Sequence, residues 1–101
     1  MNEANTIALV LDPADNVATL LSDSTAGTML SLKGAAGTVI AAEAIPFGHK
    51  IAIVPIKAGG PVRKYGQVIG CATRDIAPGE WVHLHTMESA IDGDFKKRIE
   101  R

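Results

Sequence analysis

The sequence predicts a small, mainly β domain, a compact barrel or clip, and three observations carry that expectation. The chain has 101 residues, the size of one domain. It is 47% hydrophobic yet only 4% aromatic, so its core must be aliphatic and closely interdigitated. Above all, a glycine followed closely by an apolar run recurs: Gly27 (Met29, Leu30), Gly37 (Val39, Ile40), Gly48 (Ile51, Ile53), Gly60 (Val62) and Gly79 (Trp81, Val82). Short strands entered through glycine turns are the mark of such folds. The intervals are uneven, which argues against a repeat solenoid.

Taken in order, Thr6-Ile7-Ala8-Leu9-Val10-Leu11 reads as a first strand halted by Asp12-Pro13. Asp15-Asn16-Val17-Ala18-Thr19-Leu20-Leu21 fits either a strand or a capped helix. Asp15 can serve as an N-cap, and Val17, Leu20 and Leu21 fall at helical spacing. One short helix, ending before Gly27, is expected there. The glycine-punctuated strands follow. Beyond Glu88, Asp92-Gly93-Asp94 reads as a turn and Phe95-Lys96-Lys97-Arg98-Ile99-Glu100-Arg101 as a charged C-terminal tail. The expected organisation is a β domain over residues 1–90 and a tail over 91–101.

Charge and cysteine content exclude several classes. A net charge of −1 leaves no basic footprint for nucleic acid. Cys71 is the one cysteine, so no internal disulfide can form, and a reducing compartment is expected. The start, Met1-Asn2-Glu3-Ala4-Asn5, lacks the basic region of a signal peptide, and the apolar run Ile7 to Leu11 is too short for a bilayer. Cytoplasmic location without membrane contact is the expectation. So apolar a small domain also has surface to bury against a partner or a second copy of itself.

Chemistry concentrates in residues 57–85. His83 and His85 are two apart, so on a strand they share a face, with Trp81 and Met87 beside them and Val82, Leu84 and Thr86 opposite. Val82 and Leu84 then belong to the core and the histidines point outward. Two same-face histidines can supply a base and an acid near neutral pH, or two metal ligands. Alternatively they serve as plain surface or hydrogen-bonded residues. His49 follows Gly48 at a strand entry, either directed to a cleft or bonded to nearby backbone. Lys50 beside it reads as solvated. Arg63, Lys64 and Tyr65 suit an anionic substrate: Arg grips a carboxylate with two N–H groups, Lys adds a point charge and Tyr donates a proton. The same three would equally make a solvated hairpin tip. Cys71 among Ile69, Gly70 and Ala72 reads as a small buried hydrophobe, and Asp75 and Glu80 as turn residues. No phosphate-binding loop and no complete set of three metal ligands is present.

Several short motifs in order then point to a family. Gly48-His49-Lys50, Lys64-Tyr65-Gly66, the small-residue strand Val68-Ile69-Gly70-Cys71-Ala72-Thr73, and Gly79-Glu80-Trp81-Val82-His83-Leu84-His85 together resemble the SAF domain of the altronate and galactarate dehydratase family. The likeness extends more weakly back to Asp15-Asn16-Val17-Ala18. It implies a β-clip fold, in agreement with the glycine-and-strand reading. In that family the module is fused to a large catalytic domain or encoded as a separate small subunit, as in the related sulfolactate sulfo-lyases, and the length of this chain resembles the second arrangement.

The resemblance further implies a small subunit of a hydro-lyase that dehydrates a sugar acid or related hydroxy acid, inactive or nearly so without its large subunit. It implies His49, His83 and His85 as catalytic residues, Arg63, Lys64 and Tyr65 as substrate-binding residues, and His83 and His85 as an incomplete set of metal ligands. A divalent ion, Fe2+ or Mn2+, is implied, held mainly by the partner. The competing reading is a non-catalytic SAF-type carbohydrate-binding or assembly module, since fold does not dictate function.

Overall fold

The computed structural model describes residues 6–83 and 87–89. They form nine short strands: β1 (Ile7–Leu9), β2 (Val17–Leu20), β3 (Met29–Lys33), β4 (Thr38–Ile40), β5 (Lys50–Ala52), β6 (Pro61–Lys64), β7 (Gln67–Ala72), β8 (Trp81–Val82) and β9 (Met87–Ser89). Six make one sheet in the order β4-β3-β1-β2-β5-β8, and three make a second in the order β6-β7-β9. Only β1 and β3 pair in parallel; the other ladders are antiparallel.

The expected helix at 15–21 is a strand instead. β2 pairs with β1 on one side and β5 on the other, Ala8 opposite Leu20 and Ala18 opposite Ile51. Its residues feed two cores from opposite faces. Ala18 and Leu20 pack with Ala8, Leu30, Ile45 and Ile51, while Val17 packs with Ala52, Ile56, Val62, Ile76 and Val82. A strand buried on both faces loses the polar–apolar alternation that would have distinguished it. Val17, Leu20 and Leu21 therefore mimic helical spacing.

The glycine cadence has a stricter form than the sequence suggested. Four turns have one geometry, in which the fourth residue donates its N–H to the first: Thr28 to Thr25 (3.1 Å), His49 to Pro46 (3.2 Å), Gly60 to Lys57 (2.7 Å) and Glu80 to Ala77 (3.1 Å). The third residue is Gly27, Gly48, Gly59 or Gly79, with φ of 89°, 85°, 81° and 95°, as a type II turn requires. The turn glycine of the third copy is thus Gly59, next to the expected Gly60. Each of these glycine N–H groups also donates to a carbonyl in or next to a strand, that of Ala41, Leu20, Ala72 or Ala52 respectively. Gly27 and Gly59 are 32 residues apart and Gly48 and Gly79 are 31 apart. The isolated bridges Ser24–Ile45 and Ile56–Ile76 repeat the same spacing. The two segments therefore repeat one pattern of turns and bridges at offsets of 31 and 32 residues.

The large sheet curls until its two edges meet. Ala42, just past β4, donates its N–H to the Gly79 carbonyl at 2.8 Å, and the Trp81 N–H donates to the Glu43 carboxylate at 3.1 Å. The approach is so close that a Cβ on Gly79 would collide with the Ile40 carbonyl oxygen.

Candidate functional site

The site grows from the β5–β8 pairing. Lys50 stands opposite Val82 and Ile51 opposite Trp81, so one step further along the same ladder His49 and His83 are neighbours. His49 is placed there by its turn, whose Gly48 N–H is bonded to the Leu20 carbonyl while the Leu20 N–H returns to the His49 carbonyl, both at 2.9 Å. The result is a stack of three rings. Trp81 lies against His83 at 4.0 Å between centroids and 25° between planes, and His49 meets Trp81 edge-on at 5.0 Å and 85°. The indole Nε1–H donates to His49 Nδ1 at 3.3 Å. His83 is half-buried and His49 exposed. Trp81 also packs on the first core and lines a groove of about 350 Å³ with Asp23, Ser24, Ala44, Ile45 and Pro46.

The sequence places Trp81 to Met87 on one strand, whereas β8 ends at Val82 and Met87 belongs to a different strand, β9. The Met87 N–H donates to the His83 carbonyl at 2.8 Å, and the chain passes from the large sheet to β9 in the small one. Met87 is buried beside Val82 in the second core, so it does not share the face of His83. Val82 is in the core, as expected. His85 and the charged tail over 91–101 lie outside the described residues, as do Leu84 and Thr86.

Arg63, Lys64 and Tyr65 occupy the end of the β6–β7 hairpin. Lys64 pairs with Gln67, leaving Tyr65 and Gly66 as a two-residue loop with φ of 58° and 74°, the type I′ geometry. Asp15, nearly buried, clamps this tip: its carboxylate accepts the Gly66 N–H at 2.8 Å and the Tyr65 N–H at 3.1 Å. Asn16 holds the adjoining strand, its Oδ1 accepting the Arg63 N–H and its Nδ2 donating to the Pro61 carbonyl, each at 2.8 Å. Lys64 Nζ lies 4.8 Å from the centre of the Tyr65 ring, a cation–π contact. Arg63 and Lys64 are half-buried and Tyr65 is exposed.

Lys50, which the sequence suggests is solvated, is half-buried. Burial lowers its pKa from the ordinary lysine value, and the nearby Lys64 ammonium adds to the effect. In register it stands between Thr19 and Val82. Strand alternation therefore puts it on the face of the second core, opposite His49 and the ring stack. Thr19 Oγ1 on the same face is buried without a hydrogen-bond partner among the described residues. Two constellations thus flank β5, an aromatic one and a cationic one. The sequence showed the members of the first but not the partnership of His49 with Trp81, and it read Lys50 as solvated.

The remaining candidates are structural. Asp75 accepts the Ala58 N–H at 2.8 Å and so steadies the neighbouring turn, while Glu80 accepts the Ala77 N–H within its own turn at 3.0 Å. Cys71 is half-buried, whereas Gly70 and Ala72 on either side of it are buried. The described residues do not fit a resident metal centre: they contain no group of three or more His, Cys, Asp or Glu side chains placed to hold an ion. No helix among the described residues is long and apolar enough to cross a membrane.

Comparison with known proteins agrees with this architecture. Altronate dehydratase of Escherichia coli is 44% identical over 77 residues, which is 76% of this chain and 15% of that protein. Galactarate dehydratase (L-threo-forming) of the same organism is 40% identical over 68 residues, 67% of this chain and 12% of the relative. The chain therefore spans only a small part of these dehydratases. (2R)-sulfolactate sulfo-lyase subunit alpha of Paracoccus pantotrophus is 42% identical over 45 residues, 45% of this chain but 67% of that subunit. Residues 6–90 match the altronate/galactarate dehydratase SAF domain, and with the β strands of its described residues and its Gly-His-Lys and Trp-Val-His elements the chain belongs to that family.

Proposed function

We propose that this chain is the small-subunit part of a carbon–oxygen hydro-lyase that dehydrates a sugar acid or a related hydroxy acid, and that it completes an active site on a large catalytic subunit. The observation that carries this reading is the ring stack of His49, Trp81 and His83, with centroid separations of 5.0 and 4.0 Å, in a chain of this family. Dehydration beside a carboxylate removes a proton from carbon, stabilises the enolate that forms and expels hydroxide as water. In the proposal His49, His83 and His85 contact the reacting substrate. Arg63, Lys64 and Tyr65, with Lys50 on the other face of β5 from the ring stack, form the cationic surface that draws the anionic substrate toward the joint site. A divalent ion, where the reaction uses one, belongs to the large subunit's residues. The named relatives support the reaction class, two being sugar-acid dehydratases and one a lyase subunit.

The test is reconstitution with a large dehydratase chain encoded beside this one. The complex should turn over altronate, galactarate or a related hydroxy acid, while each chain alone is inactive or nearly so. Replacing His83 and His85 together by Ala should abolish turnover and leave assembly intact. Robust turnover by this chain alone would refute the division of labour. Survival of turnover in the double variant, with only assembly impaired, would mark the chain as an assembly module.

A further inference from the structure

The Trp81–His49 contact has a chemical consequence that the proposed function alone does not specify. A neutral imidazole carries one proton, and the nitrogen that accepts a hydrogen bond is the one without it. Trp81 Nε1–H can only donate, and it donates to His49 Nδ1 at 3.3 Å. The indole is held on several sides. Its backbone N–H is fixed by Glu43 at 3.1 Å, its face is stacked on His83, and it packs against the first core. The donor is therefore positioned by the fold, independently of His49.

We propose that Trp81 fixes neutral His49 as the Nε2–H tautomer, so that His49 meets an oxygen anion of the substrate as a hydrogen-bond donor, and the base that removes the carbon-bound proton is another group. With Nδ1 engaged and Nε2 protonated, His49 has no lone pair with which to take a proton unless the indole bond breaks. What it presents, on a residue that is itself exposed, is the Nε2–H. In the reaction class proposed above, on which this assignment of role rests, such a donor suits the enolate oxygen as negative charge builds there. Trp81 is then a positioning residue, acting on the substrate only through His49.

Long-range nitrogen–proton correlation NMR on the full chain reads the tautomer directly, at a pH well above the ordinary histidine value of about 6.5. The expected result is an unprotonated Nδ1 and a protonated Nε2 on His49. Trp81→Phe removes the donor and should lower the Nε2–H to Nδ1–H ratio by roughly fivefold, the equivalent of one ordinary hydrogen bond. Should the smaller ring disturb packing, benzothienylalanine at position 81 keeps the shape and replaces the N–H by sulfur. A proton on Nδ1 in the unaltered chain, or an unchanged ratio in both replacements, would overturn the inference. Because this measurement needs no partner and no turnover, its failure and a failed reconstitution are separate results. A complex that turns over with Nδ1 protonated would overturn the donor role and leave the dehydratase reading standing.

Discussion

Replacing Asp15 by Ala should loosen the hairpin that carries Lys64 and Tyr65 and cost the domain about 3 kcal/mol. Asp15 is only 8% exposed and its carboxylate accepts three backbone N–H groups, from Gly66 at 2.8 Å, Tyr65 at 3.1 Å and Leu11 at 3.3 Å. A hydrogen bond to a charged group contributes roughly 1.5–3 kcal/mol net. The Leu11 bond is long and adds little. The tip is exposed, so water can replace part of what the other two lose. Two bonds at the lower end of the range give about 3 kcal/mol. For a domain of about 100 residues that is a fall in Tm of roughly 12–24 °C. Asp15→Asn keeps one acceptor oxygen and should lose about half as much. Asp12→Ala is the control: its one local bond, to the Ala14 N–H at 2.9 Å, is exposed, so the cost should stay below about 1 kcal/mol. Urea titration followed through Trp81, the single tryptophan, would measure all three. A loss below about 1 kcal/mol for Asp15→Ala, or equal losses for Ala and Asn, would refute the clamp.

Further outcomes follow from the same geometry. Gly79→Ala should cost about 3 kcal/mol or more, because the added Cβ strikes the Ile40 carbonyl, whereas Gly27→Ala, with nothing within 4 Å, should cost only about 1 kcal/mol of backbone strain; paired thermal melts would show the gap. Asn16→Asp turns the donor facing the Pro61 carbonyl into an acceptor and should cost about 2 kcal/mol by urea titration. For Lys50 the folded pKa lies below 10.5, so between that lowered value and 10.5 the unfolded chain binds more protons and stability rises with pH. Lys50→Met removes that slope, so the variant's stability relative to the unaltered chain should fall as the pH climbs through this window. An unchanging difference between the two proteins in alkaline denaturation series would show that burial of the ammonium is not felt.

The β architecture was legible because each turn glycine is demanded by its own local geometry, a positive φ at Gly27, Gly48 and Gly79. The repeated pattern of turns and bridges was not. The two segments share turn geometry and buried positions but few side chains, as Ser24 and Ile56 at equivalent bridges illustrate. β2 was misread because Asp15, a plausible helix cap by sequence, spends its carboxylate on N–H groups 50 and 51 residues away. In the site, the stacking of Trp81 on His83 follows from a spacing of two along an extended chain. The partnership of Trp81 with His49 does not, since it spans 32 residues and depends on the β5–β8 register. Lys50 looked solvated because a lysine in a turn-strand junction usually is. Its burial comes from lying between Thr19 and Val82 on the inner face.

The Glu43–Trp81 contact also governs how this domain can meet other chains. β8 is the outermost strand of the large sheet, and an outermost strand invites another chain to extend the ladder. Here it is two residues long, and the Trp81 N–H is already taken by a carboxylate. The acid acts as a plug: it satisfies the donor and sets a negative charge where an incoming strand would align. Glu43→Ala would leave the Trp81 N–H without that acceptor, while the Ala42–Gly79 bond would still tie the two edges together.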